Sequence, residues 1–204
     1  MSTPQEQFWN WFLRNETELF EFDPVNEIVR EQLFDRVAAE LQKVNRDLTF
    51  EFSPKATPRE FVVSAAGLKR AFPAVISLVQ SAPELDRWKI IAFRPRRTAI
   101  CSLEIGDQYI NPKDVLFTLL DNGKSAGISL FIPGFQESDA NWKQIGYLLL
   151  DQALGEYDVE TRLGLIKMLA PETRTEGKRY PLPELPVLFD QLAARLEGRS
   201  EMPS

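Results

Sequence analysis

"DVLFTLLDNGKSAGISLFIPG", Asp114 to Gly134, sets two apolar runs on either side of Asp121-Asn122-Gly123-Lys124. Asn-Gly tolerates the positive φ of a tight hairpin turn, so the stretch reads as two antiparallel strands. Strands this apolar need a layer packed over them, and the flanks supply helices. Downstream, "SDANWKQIGYLLLDQALG" repeats its apolar residues at helical spacing, with Ser138 or Asp139 as cap and Gly155 as stop. "ELPVLFDQLAARLEG" is an amphipathic helix near the C-terminus, reached through the charged, proline-rich loop "RTEGKRYPLPELP". Between the two helices, "EYDVETRLGLIKMLAP" fits a helix through Val159, Leu163 and Ile166, or a strand through Tyr157, Val159 and Thr161. Residues 156–170 therefore stay open.

Upstream the same alternation of periods recurs. "TPQEQFWNWF" starts a helix: Thr3 caps, Pro4 takes the first helical position and Glu6 completes a capping box. Phe8 and Phe12 share one face, Trp9 and Leu13 extend it, and Trp11 points sideways. A second helix follows Asp23-Pro24, with Leu33, Phe34, Val37, Leu41 and Val44 at helical spacing. The period then drops to two in "LTFEF" and "EFVVSAA", which make a hairpin over residues 48–66. "GLKRAFPAVISLVQSAP" is a short helix with Pro73 in its first turn. "WKIIAF" is apolar on both faces and reads as a strand inside a sheet. Pro95 stops pairing there, and "TAICSLEI" forms the next strand, with Ala99, Cys101, Leu103 and Ile105 on one face. These pieces make one α+β domain over residues 1–198. It has a mainly antiparallel sheet of about five to seven strands, helices packed on it, and helical N- and C-terminal segments. Residues 199–204 read as a disordered tail.

Composition narrows the chemistry. Among 204 residues there is no histidine and one cysteine. That removes imidazole acid–base catalysis, Ser-His-Asp and Cys-His machinery, imidazole-ligated metals and Cys-rich zinc or iron–sulfur sites. No cofactor, metal or catalytic residue is expected. With no run near the ~20 apolar residues of a membrane span, no secretory signal in "MSTPQEQFWNWF" and a solitary thiol, the expected location is the cytoplasm. The formal net charge is −6, which disfavours nucleic acid as a partner.

Candidate sites follow from what remains. Arg94, Arg96 and Arg97 gather on one connection, where guanidinium forks suit a carboxylate or phosphate; the competing reading is a solvated turn whose arginines pair with local carboxylates. "SAAGLKRAF" places Lys69 and Arg70 at a helix start, where backbone N–H groups favour an anion; Gly67 there also serves plain turn geometry. The acidic residues Glu156, Asp158 and Glu160 would line one face of an extended chain and would then suit a hard cation; the competing and preferred reading is a plain solvent-facing row. Cys101, alternating with apolar residues, reads as a buried thiol. Trp9, Trp11 and Phe12 belong to an aromatic cluster, with Phe8, larger than one helix face needs; most of it reads as core, and a residual apolar patch is a candidate docking surface for another chain or a second copy.

"FWNWF", "FVVSAAG" and "WKIIAFRPRR" resemble, in matching order through about the first half of the chain, a bacterial family of conserved proteins of unknown function. The resemblance implies a bacterial, cytoplasmic origin and carries no activity, cofactor or catalytic residue. The leading expectation is a non-enzymatic protein-interaction module. The alternative is an enzyme or sensor of a small anionic ligand, a nucleotide or carboxylate, held by the arginine loop with Lys69 and Arg70, Glu104 serving as base.

Overall fold

The computed structural model describes residues 2–105, 108–139 and 141–200. The chain divides into two compact units, residues 1–94 and 95–204, each with its own apolar core. The division falls inside the arginine run, at a point where no linker marks it.

In the first unit, helix α1 (Pro4–Glu21) begins with the expected capping box: Thr3 Oγ1 accepts from the Glu6 N–H, and the Glu6 carboxylate accepts from the Thr3 N–H at 2.8 Å. Helix α2 (Glu27–Val44) starts three residues later than Asp23-Pro24 suggests. Asp23 instead closes a turn by accepting from the Val25 N–H, and Asn26 is the residue whose side chain accepts from Val29 N. Strands β1 (Thr49–Phe52) and β2 (Arg59–Ser64) pair antiparallel, then helix α3 (Phe72–Gln80) leads to β3 (Trp88–Ala92), which lies parallel to β2. Sheet order β1-β2-β3 puts β2 in the centre. The expectation of an interior "WKIIAF" is corrected: β3 is an edge strand of this sheet.

One face of the sheet presents Phe52, Phe61 and Trp88 to the aromatic residues of α1. The ring centroids of Phe12 lie 5.2 Å from Phe61 and 5.1 Å from Trp88, an edge-rich packing that aromatic quadrupoles favour. Trp9 is buried there, its indole N–H donating 2.8 Å to the Leu78 carbonyl of α3. Arg59 is 2% exposed. Its guanidinium donates to the carbonyls of Ser53, Leu19 and Phe20 at 3.0, 3.2 and 2.9 Å and lies over the Phe22 ring at 4.2 Å. A helix leaves its last carbonyls without intrahelical donors, and Arg59 satisfies two of them at the end of α1.

The second unit repeats the order of strand, strand, helix, parallel strand. Strands β4 (Leu103–Ile105) and β5 (Gln108–Ile110) form a small antiparallel pair. β6 (Leu116–Asp121) and β7 (Ala126–Phe131) make the expected hairpin, turning through Asn122–Ser125 with Gly123 at φ +83°. Helices α4 (Asn141–Leu154) and α5 (Glu156–Arg162) then carry the chain to β8 (Leu163–Leu169), parallel to β7. The open segment 156–170 thus contains both structures: a short helix followed by a strand. Gly155, at φ +84°, takes a conformation other residues resist and separates α4 from α5. β9 (Tyr180–Pro181) pairs with β6, giving the order β8-β7-β6-β9, and helix α6 (Leu185–Ser200) closes the unit. All six β7 residues are buried. Phe117, Ile128 and Leu130 face the helices, with Trp142, Leu149 and Phe189 in the same core. Behind the sheet, Arg179 lies over the Phe131 ring at 3.6 Å and donates to the carbonyls of Pro171 and Thr173.

The class is α+β, with six α-helices among the described residues and mostly antiparallel pairing. The strands are shared among three small sheets rather than one. Of the tail expected at 199–204, residues 199 and 200 still belong to α6, and 201–204 lie outside the described residues. No described helix is long and apolar enough to cross a membrane.

Candidate functional site

The arginine run separates into three local arrangements. Arg94 ends the first unit and donates through Nε to Glu51 of β1. Arg96 makes a two-pronged contact with Asp190 of α6 at 2.8 and 3.0 Å, with Asp158 at 3.7 Å. This guanidinium holds the Asp190 carboxyl below its ordinary range, and the Asp190 hydrogen bond raises the pKa of Arg96 in return. Arg70, on the short 3₁₀ turn Lys69–Ala71, grips Asp47 in the same bidentate way at 2.8 and 3.1 Å and draws its pKa down. Lys69 is exposed on that turn. Gly67, at φ +78°, makes the strand-to-helix turn, so its conformational role is met. Carboxylates already occupy the forks of Arg94, Arg96 and Arg70.

Arg97, whose backbone N–H donates 2.8 Å to the Gln152 carbonyl of α4, has an exposed side chain that lines a groove of about 480 Å³ within the second unit. Two proline-bearing turns build the rest of the groove. In Asn111-Pro112-Lys113, the Asn111 carboxamide oxygen accepts from the Lys113 N–H at 3.0 Å, and Pro112 fixes φ. Pairing of β9 with β6 brings the second turn alongside, Leu182 N donating 2.9 Å to the Val115 carbonyl, so Pro183 and Pro186 join the lining. Lys113 thus joins Arg97 in the groove lining, with Thr98, Ser102 and Asn111 as polar groups and no carboxylate among the described lining residues. Lys113, Pro183 and Pro186 escaped the sequence reading. The Asn-Pro turn and the "PLPELP" run mark rigid backbone, but only strand pairing between distant segments places them together.

Other expectations change. Trp9 and Phe12 are buried, 3% and 0% exposed, so their surplus aromatic surface goes into the core; Trp11 is partly buried. Leu13, expected on that face, is exposed. The apolar side chains this unit shows to solvent include Val25, Ile28 and Val29, at the entry to α2. Cys101 is exposed rather than buried. Residues 98–102 do not enter a strand; the Gln152 carboxamide receives the Cys101 N–H at 2.8 Å where a neighbouring strand would have done so. Glu104 is exposed on β4 opposite Tyr109. Glu156, Asp158 and Glu160 ride on a helix, with Glu156 wholly buried and Asp158 paired with Arg96 and Arg162. They form no solvent-facing row. Among the described residues, no three acidic or cysteine side chains gather as metal ligands would.

Comparison with known protein families, with curated proteins and with solved structures finds no match.

Proposed function

We propose that the second unit is a binding module for a small organic anion, a carboxylate or phosphate ester with an apolar portion, seated in the groove between Arg97 and Lys113. The observation that carries this reading is the sign of the lining: two cations and, among the described lining residues, no carboxylate, in a chain with formal net charge −6. Long-range repulsion from the acidic chain selects against polyanions, while a local pair of cations holds a compact one. Pro112, Pro183, Pro186 and Ile100 offer the ligand an apolar, preorganised wall, which lowers the ordering cost of binding.

Isothermal titration with malonate, citrate and phenyl phosphate tests the reading at low salt. At least one of these is expected to bind, and Arg97→Gln or Lys113→Gln to weaken it about tenfold, the ~1.4 kcal/mol of one charge-assisted contact. Absence of binding by all three, or equal binding by the double variant, defeats it.

A second reading is a protein-interaction module acting through the first unit. Val25 and Ile28 are 87% and 70% exposed, with Val29 beside them, an apolar cluster of the kind that marks protein contact surfaces.

A further inference from the structure

A second cavity, sharing no lining residue with the Arg97 groove, lies where the β6–β7 turn meets α5 and α6. Its volume is about 250 Å³, below the ~300–1,000 Å³ of pockets for drug-sized ligands. The floor is apolar: Ala126 from β7, with Phe189, Ala193 and Leu196 from successive turns of α6, all buried. The mouth carries both signs of charge. Lys124 and Arg162 supply cations, and Glu197 supplies the carboxylate that Arg162 Nη2 donates to. Thr161, whose hydroxyl donates 2.7 Å to the Tyr157 carbonyl, keeps its lone pairs as acceptors at the same mouth.

The geometry points to a site for an apolar L-α-amino acid of about leucine size. Its carboxylate lies between Lys124 and Arg162, its ammonium between Glu197 and Thr161, and its side chain on the floor formed by Phe189, Ala193 and Leu196. A simple anion of that size meets Glu197, and a simple amine meets Lys124 and Arg162; a zwitterion satisfies both at once. The Arg162 and Glu197 side chains are 42% and 60% exposed, so the charged end of the ligand stays half solvated while its side chain leaves water. That arrangement gains apolar burial without the penalty of a dry ion pair. Gly164 preserves the rim: a Cβ there falls 2.2 Å from Ser125 Oγ, so any larger residue displaces the Ser125 hydroxyl that lines the cavity.

Calorimetric titration of the full chain with L-leucine, isovalerate, isoamylamine and L-serine separates the contributions. L-leucine is expected to bind, and each of the other three, lacking the ammonium, the carboxylate or the apolar side chain, to bind at least about tenfold more weakly. Glu197→Gln and Lys124→Gln, both at exposed positions that leave the fold intact, are expected to weaken leucine by about fivefold or more, with amide shifts in residues 124–126 and 193–197 on titration. Silence toward leucine, equal binding of isovalerate, or leucine affinity unchanged in both variants overturns the assignment.

Discussion

Arg59→Met offers a direct measure of what holds the first unit together, because it keeps the side-chain stem and deletes only the charged head. The arginine is 2% exposed and gives three hydrogen bonds to the carbonyls of Ser53, Leu19 and Phe20. Burial lowers its pKa, and the Glu21 carboxylate opposes that shift; arginine nonetheless remains charged. Methionine leaves the buried Leu19 and Phe20 carbonyls without their donor, at about 1–3 kcal/mol each, and the part-buried Ser53 carbonyl at less. The stem fills the site and keeps water from replacing the lost donors. The contact with the Phe22 ring, worth about 1 kcal/mol, goes as well. Release of a buried cation from its desolvation offsets part of this loss. The net cost is about 3–4 kcal/mol, a large share of the ~5–15 kcal/mol that stabilises a typical domain. Urea denaturation followed by tryptophan fluorescence reads it, and a thermal scan by circular dichroism is expected to show a melting temperature lower by about 10 °C or more. Arg70→Ala, which removes an arginine whose exposed guanidinium pairs with Asp47, is the control and is expected to leave the midpoint nearly unchanged. A midpoint for Arg59→Met within about 1 kcal/mol of the parent refutes the reasoning.

Cys101 is expected to react stoichiometrically with a thiol reagent in the native protein, because its side chain faces solvent; reaction only after denaturant is added contradicts its placement. Ile28→Asp tests the proposed docking surface at the entry to α2. It is expected to abolish self-association or partner capture by the first unit while leaving stability within about 0.5 kcal/mol, and unaltered association shows that the contact lies elsewhere.

Local chemistry carried much of the fold. The Thr3 capping box, the Asn122-Gly123 turn, the first hairpin and the apolar faces of α2 and α6 depend on residues close in sequence, where periodicity and turn preference act alone. The misreadings are tertiary. β3 is apolar on both faces yet lies at a sheet edge, because strand order is decided by pairing across α3 rather than by composition. Residues 98–102 alternate like a strand, but Gln152, about fifty positions away, takes the backbone N–H of Cys101. The site was legible only in part for the same reason. Arg97 stood out as charge, but nothing local brings it into one groove lining with Lys113, just as nothing local pairs Arg94 with Glu51 or Arg96 with Asp190. Trp9 and Phe12 looked surplus to one helix face because Phe61 and Trp88, which pack against them, come from two different strands.

The succession of hairpin, helix and parallel strand that occurs in both units imposes a timetable on synthesis. Each hairpin closes through a few residues at small entropic cost, whereas its third strand must wait for a whole crossover to be made. For β7, whose six residues are all buried, one flank has no hydrogen-bonding neighbour until the ribosome has delivered the chain as far as Leu169. During that interval the most apolar strand of the second unit presents an open edge. The nascent protein is most exposed to misassociation in that window, well before its last helix emerges.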